Sequence, residues 1–224
     1  MCGRFTQAAP GEVIAEAFGL PEVPELAPRY NIAPTQEVAA VRAGAAGGRE
    51  LVALHWGLIP AWANDRAVAA RMINARAETL AAKAAFRSAF RARRCLVVAD
   101  GFYEWRKVGA GKRPYFIGLA SARPFGFAGL WERWAGAGGE AVESCTIVTT
   151  AANELVAPVH DRMPVILEPS EFALWLDPAL RDPEVLQPLL RPRAAAGMVA
   201  YPVSELVNSP RNDVPGCRAP LAAA

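Results

Sequence analysis

The chain has only two histidines, His55 and His160, and its four cysteines (Cys2, Cys95, Cys145, Cys217) stand far apart with no Cys-x-x-Cys pair. So few ligands at such spacing argue against a Cys/His zinc centre and against a disulfide framework. The expectation is a reduced, intracellular protein with no metal and no cofactor. Excess charge of one sign is also missing. The 24 Lys+Arg against 22 Asp+Glu leave a net charge of +2, so whole-molecule charge gives no push toward nucleic acid and any basic footprint must be local. No apolar run is long enough to span a bilayer. The one residue before Cys2 cannot hold the apolar core of a signal peptide, and Gly at position 3 rather than 2 excludes myristoylation. These absences point to the cytoplasm and to no membrane partner. What is present is 53% hydrophobic and 21% charged, an ordinary globular balance that argues against disorder. A chain of 224 residues fits one large domain or two small ones and can bury a sizeable core.

The pattern along the chain predicts more strands than helices. A short helix is expected over Gly11 to Leu20, after Pro10. Four prolines between Pro21 and Pro34 predict an extended surface run. Val38 to Arg42 and Arg49 to Leu54 pattern as a strand pair around a Gly-rich turn. Asn74 to Arg94, rich in Ala with Phe86 and Phe90 one turn apart, predicts a helix. Cys95 to Ala99 patterns as a buried strand; Asp100-Gly101 then turns the chain into a second strand, Phe102 to Trp105. Further strands are expected over Tyr115 to Ala120, Phe125 to Trp131, Cys145 to Thr150 and Met198 to Val203. Short helices are expected over Ala151 to Val159, capped by Thr150, and over Ser170 to Leu176, capped by Ser170. Without regular βαβ alternation, this is an α+β domain with a mostly antiparallel, barrel-like sheet flanked by helices.

The chemistry-bearing residues are few. Removal of Met1 would leave Cys2 as an N-terminal 1,2-aminothiol, its amine near pKa 7.7–8.0 and its thiol near 8.5. Such a group attacks an aldehyde through nitrogen and closes a five-membered thiazolidine through sulfur, which no internal cysteine can do. Glu104 lies within the aromatic run Phe102-Tyr103-Glu104-Trp105. It is either a half-desolvated acid suited to proton transfer or a wet-face residue of an edge strand. His160 lies at an element end, suited to acid–base work or held structurally by Asp161 or Arg162; His55 in a strand-like run is the weaker candidate. Asn74 at a helix start would cap it and offer free N–H groups to an anion, with Arg76 in the first turn. Lys83, Arg87 and Arg91 at i, i+4, i+8 make a basic stripe, either a phosphate track or a solvated face. Trp56, Trp62 and Trp105 could stack on bases, although the core would claim at least two.

Six segments occur in an order that resembles the SRAP family (SOS-response-associated peptidase), proteins that process abasic sites. They are Met1-Cys2-Gly3-Arg4-Phe5, Arg29-Tyr30-Asn31-Ile32-Ala33-Pro34, Trp56-Gly57-Leu58-Ile59-Pro60, Ile73-Asn74-Ala75-Arg76-Ala77-Glu78-Thr79, Ala99-Asp100-Gly101-Phe102-Tyr103-Glu104-Trp105 and Val159-His160-Asp161-Arg162-Met163-Pro164. The resemblance covers residues 1–212 as one SRAP domain and leaves 213–224 as an irregular tail. It implies a protein, acting as a monomer and associated with the nucleoid when bound, that recognises abasic sites in single-stranded DNA. It implies a thiazolidine crosslink through Cys2, with Asn74 positioning the sugar or Cys2, Glu104 as acid–base group and His160 assisting proton transfer. Arg4, Arg76 and Arg162 would contact phosphates and Trp62 would stack on a base. Release of the initiator Met and β-elimination at the lesion are implied as accompanying activities. The chain departs from the family after Trp62, where Ala63 replaces a second bulky residue and the segment to Arg71 is long and charged.

Two other readings fit some of these residues. An N-terminal-nucleophile glutamine amidotransferase also begins Met-Cys-Gly, but its oxyanion and substrate motifs are missing here. A non-covalent single-stranded DNA-binding module would use the basic stripe and aromatics alone, and would bind in a salt-sensitive way without Cys2.

Overall fold

The computed structural model of the chain describes residues 2–45 and 47–221. In chain order the strands are β1 (Phe5–Gln7), β2 (Arg29–Ile32), β3 (Glu37–Ala43), β4 (Arg49–Trp56), β5 (Asn74–Arg76), β6 (Arg94–Ala99), β7 (Gly101–Val108), β8 (Gly111–Leu119), β9 (Phe125–Ala135), β10 (Ala141–Ala151), β11 (Arg162–Pro164), β12 (Ile166–Leu167) and β13 (Met198–Pro202). The α-helices are α1 (Gly11–Phe18), α2 (Arg87–Ala92), α3 (Phe172–Leu176) and α4 (Pro183–Leu186).

Strands β4, β3, β6, β9 and β10 pair in that order, and β10 pairs back to β4, which closes a barrel. Among the five barrel strands only the β10–β4 closure is parallel. A second sheet runs β13-β8-β7-β1-β2. This is the α+β, mostly antiparallel, barrel-like domain expected from the pattern.

Strand β6 shows why the two sheets and the helices pack as they do. Every residue of Arg94–Ala99 is buried. Side chains alternate across a strand: Cys95, Val97 and Ala99 join a core with Phe5, Trp56, Phe102 and Phe127, while Leu96 and Val98 join a second core with Phe18, Phe90 and Trp175. A strand covered on both faces reads as an apolar run, here from Cys95 to Ala99. Helix α1 follows Pro10, ends at Gly19 in the left-handed conformation (φ 61°), and buries Ile14 and Phe18. Phe18 stacks on Phe172 at 5.5 Å.

Four local expectations are corrected. The stretch Asn74 to Arg94 is not one helix. Asn74–Arg76 is strand β5, paired in parallel with Ile147–Thr149 of β10, and the six-residue α2 forms only from Arg87. The β10 edge supplies ladder partners that outweigh the helix propensity of the alanines. Asp100-Gly101 does not close a hairpin, because β6 pairs with β3 and β9 while β7 pairs with β1 and β8; the chain there crosses from one sheet to the other. Residues 154–159 form turns rather than a helix. Asn153, not Thr150, accepts the Val156 N–H at 2.9 Å, and Pro158 has no N–H with which to continue. Ser170 likewise lies inside a 3₁₀ turn, Pro169–Glu171, and the bond at its start runs from the Glu168 N–H to Glu171 (2.9 Å).

The segment after Asn212 is held against the body. Asp213 accepts the N–H groups of Tyr30 and Asn31, Cys217 is buried, and Pro220 bridges Val203.

Candidate active site

Cys2 lies three residues ahead of β1. Strand β1 pairs antiparallel with β7, Phe5 against Phe102, and the Tyr103 N–H donates to the Arg4 carbonyl at 2.9 Å. Continuing this register sets Gly3 opposite Glu104, so a rule of strand pairing brings the start of the chain to the carboxylate. Cys2 is fully buried, in the core that holds Phe5, Trp56, Phe102 and Cys145. Burial pushes its thiol well above the ordinary range; the Glu104 charge adds to the rise, and the Arg4 N–H opposes it.

Glu104 is 3% exposed. Phe102 and Glu104 share a face of β7, so Glu104 follows Phe102 toward the Cys2 core. Burial raises its carboxyl above the usual carboxylate value, while the nearby charge of His160 and the Trp105 N–H act in the lowering direction. The desolvated-acid alternative therefore describes Glu104, and the wet-face alternative does not.

His160 ends the turn before β11. Its Nδ1 accepts the Arg162 N–H at 3.0 Å, which in the neutral ring leaves the proton on Nε2. The Asp161 carboxylate stands 3.0 Å from the same Nδ1 and becomes its partner when the ring is protonated. The loop thus offers a partner to each protonation state.

Asn74 comes in from β5. Its Nδ2 donates to the adjacent Ile73 carbonyl at 3.0 Å, and its Oδ1 is buried with no hydrogen-bond partner among the described residues. An amide oxygen left this way costs about 1–3 kcal/mol unless something donates to it. Because Asn74 is in a strand, the idea of a helix N-terminus offering N–H groups to an anion is withdrawn. Arg76 is exposed on the same strand, not in a helical turn.

The cations differ in how far they are committed. Arg162 binds both oxygens of Glu78 (2.6 and 3.0 Å) and the Thr149 carbonyl (2.7 Å). Arg4 directs Nη1 to Asn31 (2.8 Å) and to the Val207 carbonyl (2.6 Å), and lies over the Trp105 ring at 5.7 Å. Lys83, Arg87 and Arg91 are exposed, but Lys83 sits in the turn before α2 and not on it. Arg93 pairs with Glu132 (2.6 Å). Arg94 is buried against the carbonyls of Phe90, Trp175, Asp177 and Leu180.

The tryptophans divide as packing requires. Trp56 is buried, with its ring N–H on the Ile73 carbonyl at 2.9 Å. Trp105 donates to Asn208 at 2.8 Å. Trp62 is 64% exposed, on a turn closed by the Ala63 N–H to the Pro60 carbonyl (2.9 Å). Gly57 shapes this region: it has φ 134°, and a Cβ there would meet the Ala69 carbonyl oxygen at 2.6 Å. The segment from Ala63 to Arg71 folds back over it as a 3₁₀ turn and packs Val68 and Ala69 on Trp134, whose ring N–H donates to the Ala63 carbonyl (2.7 Å). His55 is half-buried, and burial followed by the Arg66 charge lowers its pKa.

Sequence reasoning missed Glu78 and Thr149 as the partners of Arg162. The signal for Glu78 was its place four residues after Asn74 in a motif already noted; nothing local marked Thr149. Among the described residues, no group of three or more His, Cys, Asp and Glu could hold a metal, and no helix is long and apolar enough to cross a membrane.

A closed barrel backed by a second sheet, with a buried cysteine beside a desolvated glutamate that in turn feels the charge of His160, describes an α+β protein with a candidate site at the start of the chain. The chain belongs to the SOS response associated peptidase (SRAP) family, whose model matches residues 1–210. It is 46% identical over 220 residues to the abasic site processing protein YoqW of Bacillus subtilis, covering 96% of this chain and 97% of that one. It is 32% identical to abasic site processing protein YedK of Escherichia coli, over 95% of this chain and 96% of that one. It is 34% identical to abasic site processing protein HMCES of Gallus gallus, over 77% of this chain and 58% of that one. A crystal structure of a protein from Bacteroides thetaiotaomicron superposes with a TM-score of 0.87 at 29% identity, over 98% of this chain and all of the other.

Proposed function

We propose that this protein processes abasic sites in single-stranded DNA by covalent capture. Once Met1 is removed, the Cys2 α-amine attacks the aldehyde carbon of the ring-opened deoxyribose, and loss of one water gives an imine. The Cys2 S–H then adds across the C=N bond, sulfur to carbon and proton to nitrogen, and closes a thiazolidine with nothing further lost. Closure is intramolecular, so high effective molarity favours it.

The observation that carries this reading is the β1–β7 register that sets the start of the chain against Glu104, with Cys2 and Glu104 both buried there. A cysteine that acts as a free-standing thiolate nucleophile is found with a lowered pKa. Here burial and the neighbouring carboxylate act the other way, which suits a mechanism where nitrogen attacks first and sulfur only traps the imine. The amidotransferase alternative needs the sulfur to open the reaction and is disfavoured on the same ground. A protonated Glu104 can give a proton to the ring oxygen of the closed sugar, take back the proton released from the C1 hydroxyl as the aldehyde forms, and later give it to the departing hydroxyl. His160 Nε2–H is a second donor, and the Asn74 oxygen is free to orient the attacking amine. The same acid–base pair would serve release of the initiator Met. Protection of the strand is the main outcome and β-elimination a minor one. The three cations at the site's edges, Arg4, Arg76 and Arg162, serve phosphates to the extent that their internal partners leave them free, and Trp62 serves a neighbouring base. The protein works as a monomer, on DNA.

The test mixes the protein with a single-stranded oligonucleotide carrying one abasic site. A denaturation-stable adduct whose intact mass equals the Met1-free chain plus the oligonucleotide minus one water supports the reading. Mostly nicked strands with little adduct overturn it.

A further inference from the structure

Strand β7 does not stop at Glu104. It continues through Arg106 and Lys107 to Val108, turns, and returns as β8 through Lys112 and Arg113. The register sets Arg106 directly opposite Arg113, and Lys107 directly opposite Lys112. All four side chains are exposed. Among the described residues none of them takes part in an ion pair. Like charges facing each other across paired strands work against the pairing, and this tip stacks two such pairs with no carboxylate between them. The fold gains nothing from that arrangement, since Val108 at the tip is itself exposed.

The two pairs are not equivalent. Side chains alternate along a strand, so Arg106 shares the face of Glu104, roughly 7 Å further along at 3.3–3.4 Å per residue. Arg113 lies on that face too, two residues before Tyr115, which pairs with Glu104. Lys107 and Lys112 point the other way, with Tyr103 and Trp105.

We infer that Arg106 and Arg113 form a clamp for nucleic-acid phosphate, gripping the backbone beside the nucleotide that Glu104 serves. Two guanidinium groups side by side match phosphate oxygens in bidentate geometry. An anion lodged between them also relieves their mutual repulsion. Continuity with the Glu104 face is what selects a nucleic-acid strand as the occupant, so the inference deepens the abasic-site reading and rests on it.

The test measures equilibrium binding of an undamaged single-stranded oligonucleotide across a salt series, so that no crosslinking enters. Two double variants are compared with the parent: Arg106→Gln with Arg113→Gln, and Lys107→Gln with Lys112→Gln. Losing two phosphate contacts on a single strand lowers the slope of log K against log salt by about 1.4. The arginine variant shows that loss, and the lysine variant less than half of it. An unchanged slope in the arginine variant, or equal losses in the two variants, overturns the clamp. Arg113→Glu, which puts opposite charges across the pair, folds at least as stably as the parent yet binds more weakly; binding equal to the parent's also overturns it. A parent protein that binds with the expected slopes but forms no adduct sinks the crosslinking chemistry alone.

Discussion

Arg162 holds Glu78 with both ends of its guanidinium, Nη1 to Oε1 at 2.6 Å and Nη2 to Oε2 at 3.0 Å. The pair ties β11, which begins two residues after His160, to the chain that follows β5, which begins at Asn74. Two candidate site residues 86 positions apart in sequence are thereby held in one frame. Glu78 is half exposed, so its stability value is that of a well-formed surface pair, at most about 1 kcal/mol. The Arg162 bond holds its pKa below the ordinary value. Stability from this pair is therefore full above about pH 4.3, the unfolded value, and is lost as pH falls through the lower folded value. Urea unfolding of Glu78→Gln is expected to show a loss near neutral pH that vanishes in acid.

Cys2→Ser keeps the amine and removes the sulfur. It is expected to give at best a labile imine that survives a denaturing gel only after reduction. A stable adduct without reductant would show that ring closure through sulfur is not the trapping step.

Glu104→Gln separates chemistry from packing. Adduct formation is expected to slow while binding of undamaged DNA stays the same; equal loss of both would make Glu104 structural. The folded pKa is raised by burial, so stability from this group is full below about pH 4.3 and is lost as pH rises through the folded value. The variant is expected to melt with the parent near about pH 3 and above it near about pH 8. Melting curves at the two pH values decide it.

Asn74→Ala removes a buried oxygen that has no partner among the described residues and a bond to the neighbouring carbonyl. Relief of the unpartnered oxygen offsets the lost bond, so stability is expected to change by less than about 1 kcal/mol. The adduct rate is expected to fall about tenfold, the size of one lost directing hydrogen bond. Single-turnover kinetics beside urea unfolding measure both.

Gly57→Ala strains a backbone at φ 134° and drives a Cβ into the Ala69 carbonyl. A loss of about 1–3 kcal/mol is expected, read from the urea midpoint with m unchanged. The exposed Trp62 should then change its fluorescence, because the turn that carries it is held by the same loop.

Much of the strand content was legible because burial on two faces leaves an unmistakable run, as in Cys95 to Ala99. The hairpin of β3 and β4 was legible because its Gly-rich turn is local. Asn74 to Arg76 was not, because alanine-rich sequence prefers helix and only the edge of β10, some seventy residues away, makes it a strand. The crossing at Asp100-Gly101 was hidden for a related reason: a local turn looks the same whether its two arms pair with each other or with different sheets.

By itself the amino-acid order determined which groups are available: a cysteine next to the initiator Met, a carboxylate in an aromatic run, a lone histidine at an element end, and one family pattern joining them. Tertiary structure decided what those groups are. Covalent order names the atoms, but the free energy of a charge depends on its surroundings. Antiparallel pairing of β1 with β7 removes Cys2 and Glu104 from water and so raises both pKa values. Parallel capture of β5 by β10 leaves the Asn74 oxygen open, and long-range pairing commits Arg162 to Glu78 while leaving Trp62 in solvent.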